Sequence, residues 1–326
     1  MARTGKKEIV VILGVNGQDG SYLAENLVEQ HYEVVGIGRQ KNSRKDLSRQ
    51  LAAYEKLDLS NGSALASILK RYKPGKIFHV AATHGAAGTA YEALWQEMLT
   101  VNVGSVHIVL EYLRNFRMGG TLTYVNTGKI YGPKYPVRVT EKSSTQASCL
   151  YTITKLAARD LINYYRDKHK LQVGQFFLFN HESVRRRSDF FVPKILGILA
   201  SAVRDVNYRE NLDTLEFFND WGCAREYMAL MIEASEIAPK DDFVLGTSKT
   251  WYARSFVEEL FQRYGLDYRN HILERGVNPT RDIQKRMYRV NTGKFRKAVG
   301  KCPRRGIFEV CEEILQTCHG LTPAHG

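Results

Sequence analysis

Through its first 180 residues the chain alternates short apolar runs with amphipathic stretches, the pattern of a sheet whose parallel strands are joined by helices. The apolar runs predict strands at 8–13, 33–38, 54–57, 76–81, 121–126 and 172–178. Spacings of three and four predict helices at 21–30, 63–72, 91–116 and 150–168. Beyond residue 180 the pattern is less regular. It predicts helices at 192–204, 254–264 and 307–318, and a strand at 242–245 that returns to the sheet edge. The fold class expected is α/β: a Rossmann-type doubly wound parallel sheet with a smaller C-terminal α/β region that binds substrate. The division expected is 1–179 for the dinucleotide-binding domain, with the returning strand near 242–246, and 180–326 mainly for the substrate region.

With 326 residues and 44% apolar content the chain can bury a full core. No stretch reaches the roughly 20 apolar residues of a membrane helix, and residues 1–7 carry no signal-peptide core, so a soluble cytoplasmic protein is expected. Cys149, Cys223, Cys302, Cys311 and Cys318 form no CxxC pair, which signals neither a disulfide framework nor a metal site. The net charge of +13 favours an anionic partner. Its basic groups at 3–7, 41–49, 185–187, 281–289 and 296–305 belong to no nucleic-acid-binding motif. A phosphorylated small molecule is therefore expected, with no nucleic acid and no membrane.

The first strand runs into Gly14-Val15-Asn16-Gly17-Gln18-Asp19-Gly20 and then a helix. A dinucleotide needs such a turn, because the backbone must bend tightly, approach a pyrophosphate and pack helix on strand where any Cβ would intrude. The helix N-terminus then receives the phosphates. The second strand ends in Gly38-Arg39 with no carboxylate, so nothing there repels a 2′-phosphate. Arg39, backed by Lys41, Arg44 and Arg49, favours NADP(H) over NAD. Asp58 is a candidate for the adenine edge or a plain surface turn; Leu59, and Ala81 and Ala82 after the fourth strand, are assigned to the same groove.

Tyr151 and Lys155 stand at i and i+4, one turn apart on one helix face. An ammonium near a phenol lowers its pKa, so Tyr151 is a candidate to take a proton from a sugar hydroxyl as hydride leaves the carbon. Thr127, ending the fifth strand, is a second hydroxyl for the same oxygen. A surface pair is the plainer explanation of the Tyr-Lys spacing alone.

Together these features resemble the extended short-chain dehydrogenase/reductases, and among them the GDP-mannose 4,6-dehydratases. The likeness is carried by Gly14 to Gly20 continuing through Ser21-Tyr22-Leu23, by Leu178-Phe179-Asn180-His181-Glu182-Ser183 with Arg185-Arg186, and by Asp220-Trp221-Gly222, and spans about residues 9 to 227. It implies tightly held NADP, a GDP-linked sugar, and assembly as a homodimer or homotetramer through 91–116 and 150–168. It also implies oxidation at C4, loss of water across C5 and C6, and return of hydride to C6. Thr127, Tyr151 and Lys155 match the family's catalytic Thr, Tyr and Lys. The family's base, a Glu two residues after the Thr, is here Lys129. A lysine, with an ordinary pKa near 10.4, is protonated at neutral pH and cannot remove the C5 proton unless burial shifts it by about three units. His84 is a candidate replacement base or sugar contact.

The resemblance further implies that His181 and Arg186 contact cofactor, and that Asn180, Glu182 and Arg185 line the nucleotide-sugar site. Two family positions have changed. The Arg before Asp-Trp-Gly is Asn219, and the family's Arg-Pro-Thr-Glu reads Asn278-Pro279-Thr280-Arg281, so the guanine base is not assured. Three functions follow. The first is an NADP-dependent enzyme acting at C4 of a nucleotide sugar: a 4-keto reductase, a C4 dehydrogenase or an epimerase. The second is a true 4,6-dehydratase with another base. The third is a non-catalytic NADP-binding partner.

Overall fold

The computed structural model describes residues 7–85, 89–276 and 284–323. Its main sheet contains β1 (Ile9–Leu13), β2 (Glu33–Gly38), β3 (Ala53–Lys56), β4 (Lys76–His79), β5 (Thr121–Thr127) and β6 (Gln172–Leu178). A second sheet holds β7 (Asn180–Glu182), β8 (Phe218–Cys223) and β10 (Thr250–Tyr252), while β9 (Asp242–Leu245) returns to the first. The main sheet runs β9-β6-β5-β4-β1-β2-β3, every pair parallel. This is the doubly wound α/β arrangement that the alternating pattern predicts.

Helices cover both faces, which is why the strands read as continuous apolar runs rather than alternating ones. Successive residues of β1 point to opposite faces. Val10 and Ile12 pack with α1 (Gln18–Glu29) and α6 (Ala224–Ile237), while Val11 and Leu13 pack with α2 (Gly62–Tyr72), α3 (Ser105–Phe116) and α4 (Leu150–His169). All four side chains are fully buried. A separate core gathers α5 (Phe191–Arg204), α7 (Ala253–Gln262) and α9 (Ile307–Ile314) around Trp221, which stacks on Phe191 at 5.5 Å and meets Phe256 at 5.1 Å.

The chain after residue 180 crosses between the two cores. α6 and α8 (Gly293–Val299) pack against the main sheet. No periodic signal identified α6, or the three-residue strand β7, which is too short to show one. The helix expected at 91–116 is broken: a 3₁₀ turn at Glu92–Leu94 leads through Trp95–Met98 to a π-helical stretch at Leu99–Gly104, and only then to α3. Asn102, fully buried in that widened turn, binds the backbone of Thr83 in both directions, at 2.8 and 3.2 Å. Tertiary hydrogen bonding overrides helical regularity there. Among the described residues no helix is long and apolar enough to cross a membrane, and no group of His, Cys, Asp or Glu is placed to hold a metal.

α1 begins at Gln18, three residues before the expected start, because Gly17 is its N-cap and the rest of the glycine turn forms its first turn. Two glycines allow this. Gly14 adopts φ +94°, and a Cβ there would lie 2.9 Å from the Ala81 backbone; a Cβ on Gly20 would lie 2.2 Å from the Gly14 carbonyl oxygen. Gly20→Ala should destabilise the protein by at least about 1–3 kcal/mol, the cost of overpacking a tight contact. The expected reading is a lowered denaturant midpoint with weakened dinucleotide binding; an unchanged midpoint would show that helix and strand are not packed this closely.

Candidate active site

The sheet order reverses between β1 and β4, so the loops leaving these strands diverge and open a crevice at their carboxyl ends. Gly14, Asn16, Gly17, Arg39, Leu59, Ala81 and Ala82, all expected from sequence, line one groove there, joined by Gly38 and Gln40 from the end of β2. The first amides of α1 lack intrahelical acceptors, and the Gly17 N-cap has no side chain to take them. These residues fit a dinucleotide: open amides at a helix N-terminus for the pyrophosphate, and glycines where side chains would fill the cradle.

The polar residues of the turn also bind within the protein. The Asn16 amide donates to Gln40 Oε1 (3.0 Å), the Asn42 carbonyl (3.0 Å) and Tyr54 Oη (3.2 Å), and its oxygen accepts from the Arg44 N–H (3.1 Å). Asn16 therefore shapes the basic loop that follows β2. Arg39 pairs with Glu97 at 3.0 Å across the groove, so a 2′-phosphate would compete with that carboxylate for the guanidinium. Arg44 is paired with Asp46 at 3.2 Å. Asp58 is exposed, accepts the Ser60 N–H at 2.9 Å, and lies within the field of Arg39 at the end of the groove.

Gln18 and Asp19 reach across to β7. Gln18 donates to the His181 carbonyl (3.2 Å) and accepts from Ser183 Oγ (2.8 Å). His181 Nε2 lies 3.0 Å from Asp19 Oδ1, and its Nδ1 lies 2.7 Å from the Phe179 carbonyl oxygen. Both ring nitrogens face acceptors, a demand only the imidazolium satisfies. Burial raises the Asp19 carboxyl, but the charge and hydrogen bond of His181, with help from Arg186 and Gln18, outweigh it and hold the group at about 2. Burial lowers His181 and the Asp19 charge more than reverses it, leaving the imidazole above its ordinary value. The expected cofactor contacts Asp19 and His181 are thus each other's partners.

Arg185, expected at the sugar diphosphate, is also committed elsewhere. It donates to Ser21 Oγ at 2.9 Å, pairs with Glu25 and, at 3.2 Å, with Asp46, and lies over the Tyr22 ring. Glu182 is buried, its carboxyl raised by desolvation, with Arg186 at 3.6 Å. Arg186 stacks on Phe190 and its charge acts on His84 and Tyr151, so it faces the reactive end. Asn180 pairs with Trp221 between β7 and β8. Asn219 accepts from the Asp220 N–H (3.1 Å) and Tyr288 Oη (3.2 Å). Arg281 and the rest of 278–281 lie outside the described residues.

Thr152 starts the catalytic helix. Its hydroxyl accepts the Ser148 and Cys149 amides at 2.9 and 3.0 Å, so α4 begins with Tyr151 already in its first turn. Tyr151 and Lys155 are buried, and Thr127, at the end of β5, hydrogen-bonds Tyr151. Lys155, one turn further along α4, feels the charge of Asp19 in the glycine turn. The expected depression of the phenol by Lys155 is absent. Burial, then Tyr91 and Cys149, push Tyr151 above its ordinary value, opposed by Arg186 and Thr127. Lys155 Nζ lies 6.0 Å from the Tyr151 ring centroid and instead donates to Tyr124 Oη (3.0 Å) and the Val125 carbonyl (2.7 Å). Burial lowers Lys155 to about 7, partly opposed by Asp19.

His84 stacks on Tyr151 with centroids 4.2 Å apart, and its Nδ1 meets Tyr91 Oη at 3.0 Å. Burial, then the charges of Lys129, Arg186, Lys155 and Arg187, hold it well below its ordinary pKa, so the ring is neutral. Lys129 is exposed, in the 3₁₀ turn Gly128–Tyr131 that Thr127 caps. Tyr124, Tyr91 and Asn102 escaped the sequence reading. Only Asn102 left a signal, an amide inside an apolar helical run; it also donates to Thr154 Oγ1 on α4 at 3.0 Å.

Residues 11–305 match the family described as GDP-mannose 4,6 dehydratase, further toward the C-terminus than the motifs alone reach. The chain is 27% identical over 299 residues to GDP-mannose 4,6 dehydratase 1 of Arabidopsis thaliana, covering 87% of this chain and 80% of that one. It is 29% identical over 276 residues to the GDP-mannose 4,6-dehydratase of Vibrio cholerae, covering 80% and 73%. In fold it is similar to the UDP-glucose 4-epimerase of Thermotoga maritima, with a TM-score of 0.81 at 15% identity over 96% of this chain and 99% of the other.

Two measurements probe this geometry. Asp19 sits at about 2 against an ordinary 3.8. Its depressed value means a contribution complete above about pH 4 and lost as pH falls toward 2. Asp19→Asn should therefore cost about 2 kcal/mol near neutrality, and urea unfolding should show the gap from native protein closing over that acid range; a gap constant with pH would deny the ion pair. Tyr124→Phe removes an acceptor for the Lys155 ammonium. It should move the inflection of kcat/KM near pH 7 to lower pH and reduce kcat/KM roughly tenfold, whereas an unmoved inflection would make Tyr124 a packing residue only.

Proposed function

This chain belongs to the GDP-mannose 4,6-dehydratase family, and within it we propose an NADP(H)-dependent enzyme that oxidises or reduces a nucleotide-linked sugar at C4 without expelling water. At the coarser level it is a nucleotide-sugar-modifying member of the short-chain dehydrogenase/reductases. One observation supports the finer reading. Thr127 meets Tyr151, Lys155 on the next turn of α4 feels the charge of Asp19 in the glycine turn, and the turn that follows Thr127 presents an exposed lysine where elimination would need a base.

A nicotinamide dinucleotide held in the groove supplies the hydride acceptor or donor. Gly14 and Gly17 with the first amides of α1 would hold its pyrophosphate, and Arg39, paired with Glu97 at 3.0 Å, would exchange that carboxylate for a 2′-phosphate. The hydroxyls of Thr127 and Tyr151 receive the C4 oxygen, and Tyr151 moves its proton. Lys155, titrating near 7, exchanges a proton at physiological pH and neutralises the phenolate as it forms. A reductase, a dehydrogenase and an epimerase share this step. GDP is the nucleotide named in the relatives' descriptions, and a GDP-linked sugar is the first substrate to try.

Loss of water would require removal of the C5 proton beside the new ketone. Burial is what makes a base of a lysine, and Lys129 is exposed. His84 favours a second reading, a true 4,6-dehydratase, because its neutral imidazole lies against Tyr151 and keeps one ring nitrogen unprotonated. Its strongly lowered pKa makes it a weak base for that task. Homo-oligomerisation is part of the same proposal: Phe116 on α3 and Ile153 and Tyr164 on α4 are exposed on the helices that would pair.

Incubation of the NADP(H)-loaded protein with GDP-mannose and related GDP-sugars should change product mass by about 2 units for net oxidation or reduction, or give a chromatographically distinct isomer of unchanged mass for epimerisation. Loss of about 18 units would establish the dehydratase. Tyr151→Phe should lower turnover about 10²- to 10⁴-fold with dinucleotide still bound, and no turnover by the native protein with any nucleotide sugar would overturn the enzymatic reading.

A further inference from the structure

The cation that lines the dinucleotide groove at the end of β2 is already engaged by a carboxylate. Arg39 NH1 meets Glu97 Oε1 at 3.0 Å, and that same oxygen accepts Thr83 Oγ1 at 2.9 Å. Thr83 follows the groove residue Ala82 and is itself fixed, because the buried amide of Asn102 binds both its backbone N–H and its carbonyl. Glu97 is thereby anchored from the protein side, whether or not Arg39 stays with it. Asp58, after β3, adds a second negative charge to the field around the guanidinium. Arg39 and Glu97 keep 61% and 36% of their side-chain surface in water, so their pair is of the weak, exchangeable kind.

We propose that Glu97 is a positioning residue for the cofactor, acting through Arg39, and that it opens the groove to NAD(H) as well as NADP(H). The proposal rests on the dinucleotide reading above and alters the preference stated there. An arginine that takes a 2′-phosphate gains charge-assisted hydrogen bonds, which without competition favour the phosphorylated cofactor by roughly 10- to 150-fold. Here the phosphate must first displace a carboxylate and then remain near it, because Thr83 holds that carboxylate in place. Repulsion between the two anions offsets most of the gain. NAD(H) meets no such opposition. It brings a neutral hydroxyl, and Arg39 stays paired with Glu97, so no guanidinium is left in the groove without a counter-charge. The acid that ordinarily marks an NAD site and the base that marks an NADP site are joined here as one pair.

Calorimetric titration of the full chain with NADPH and with NADH tests this. The two affinities should fall within about tenfold of each other. Glu97→Gln keeps an acceptor for Thr83 and removes the charge, so NADPH should bind about five- to tenfold tighter while NADH is unchanged. Glu97→Asp, which keeps the charge, should stay near the native ratio, and Arg39→Met should bring the ratio to about one. A ratio that Glu97→Gln leaves unchanged, whatever its size, would overturn the proposal while NADPH binding upheld the NADP reading. Equal weakening of both dinucleotides in Glu97→Gln would also overturn it, by giving Glu97 a structural role only. Tighter binding of NADH by the native protein, turned toward NADPH by Glu97→Gln, would support the role of Glu97 and overturn the NADP reading instead. If neither dinucleotide binds, both fall.

Discussion

The buried pair of Asp19 and His181 is the constraint from which the rest of the architecture follows. His181 spends both ring protons, one on the Phe179 carbonyl and one on Asp19, so the strand carrying it and the first turn of α1 hold one fixed relation. Gln18 and Ser183 repeat the link beside it, and Arg185 carries it further along α1 to Ser21 and Glu25 and out to Asp46 in the loop after β2. On its other side, β7 pairs with β8 through Trp221, the centre of the second core. The glycine turn, the segment around His181 and the Asp-Trp-Gly segment are distant in sequence and form a single interface. A charged pair taken out of water is costly to leave half-made, which gives this interface a definite register.

Desolvation sets the chemistry of the reactive end. Burial raises Tyr151 and lowers Lys155, so two groups of ordinarily similar proton affinity are driven apart. The lysine is held back on Tyr124 and the Val125 carbonyl, within the sheet side of α4, rather than against the phenol. Asn102 adds a second fixing point, tying α4 through Thr154 to the Thr83 loop at the edge of the dinucleotide groove. The catalytic helix is therefore positioned from beneath by buried polar bonds and from its start by Thr152, and the phenol meets the groove without a flexible support.

On the proposed function, the same hydroxyl pair and the same groove serve every reaction that begins with hydride transfer at C4, and a lysine in place of a carboxylate beyond Thr127 bears on whether the adjacent proton can leave. Lys129, Arg186, Lys155 and Arg187 add a positive field to the burial that keeps His84 neutral. Function resides in such details of the site rather than in the fold.

Much of this was determined by sequence alone. Strand runs buried on both faces, three glycines after the first of them, and a Tyr and Lys one helical turn apart are local patterns, and their periods and steric demands are legible wherever they stand. The placement of Thr127 and the groove residues Gly14, Asn16 and Gly17 with Arg39, Leu59, Ala81 and Ala82 followed from them, whereas the lysine at 129 stood out only against the family the sequence resembles. Tertiary structure alone decided which polar residues face each other. Asp19, His181 and Arg185 carry the same side chains whether they hold a ligand or hold the protein, and only long-range packing brings them onto their partners. The ordering of Tyr151 and Lys155 in proton affinity was likewise beyond the spacing of two residues, because desolvation depends on everything that surrounds them, including Tyr124 and Tyr91 brought in from two other segments of the chain.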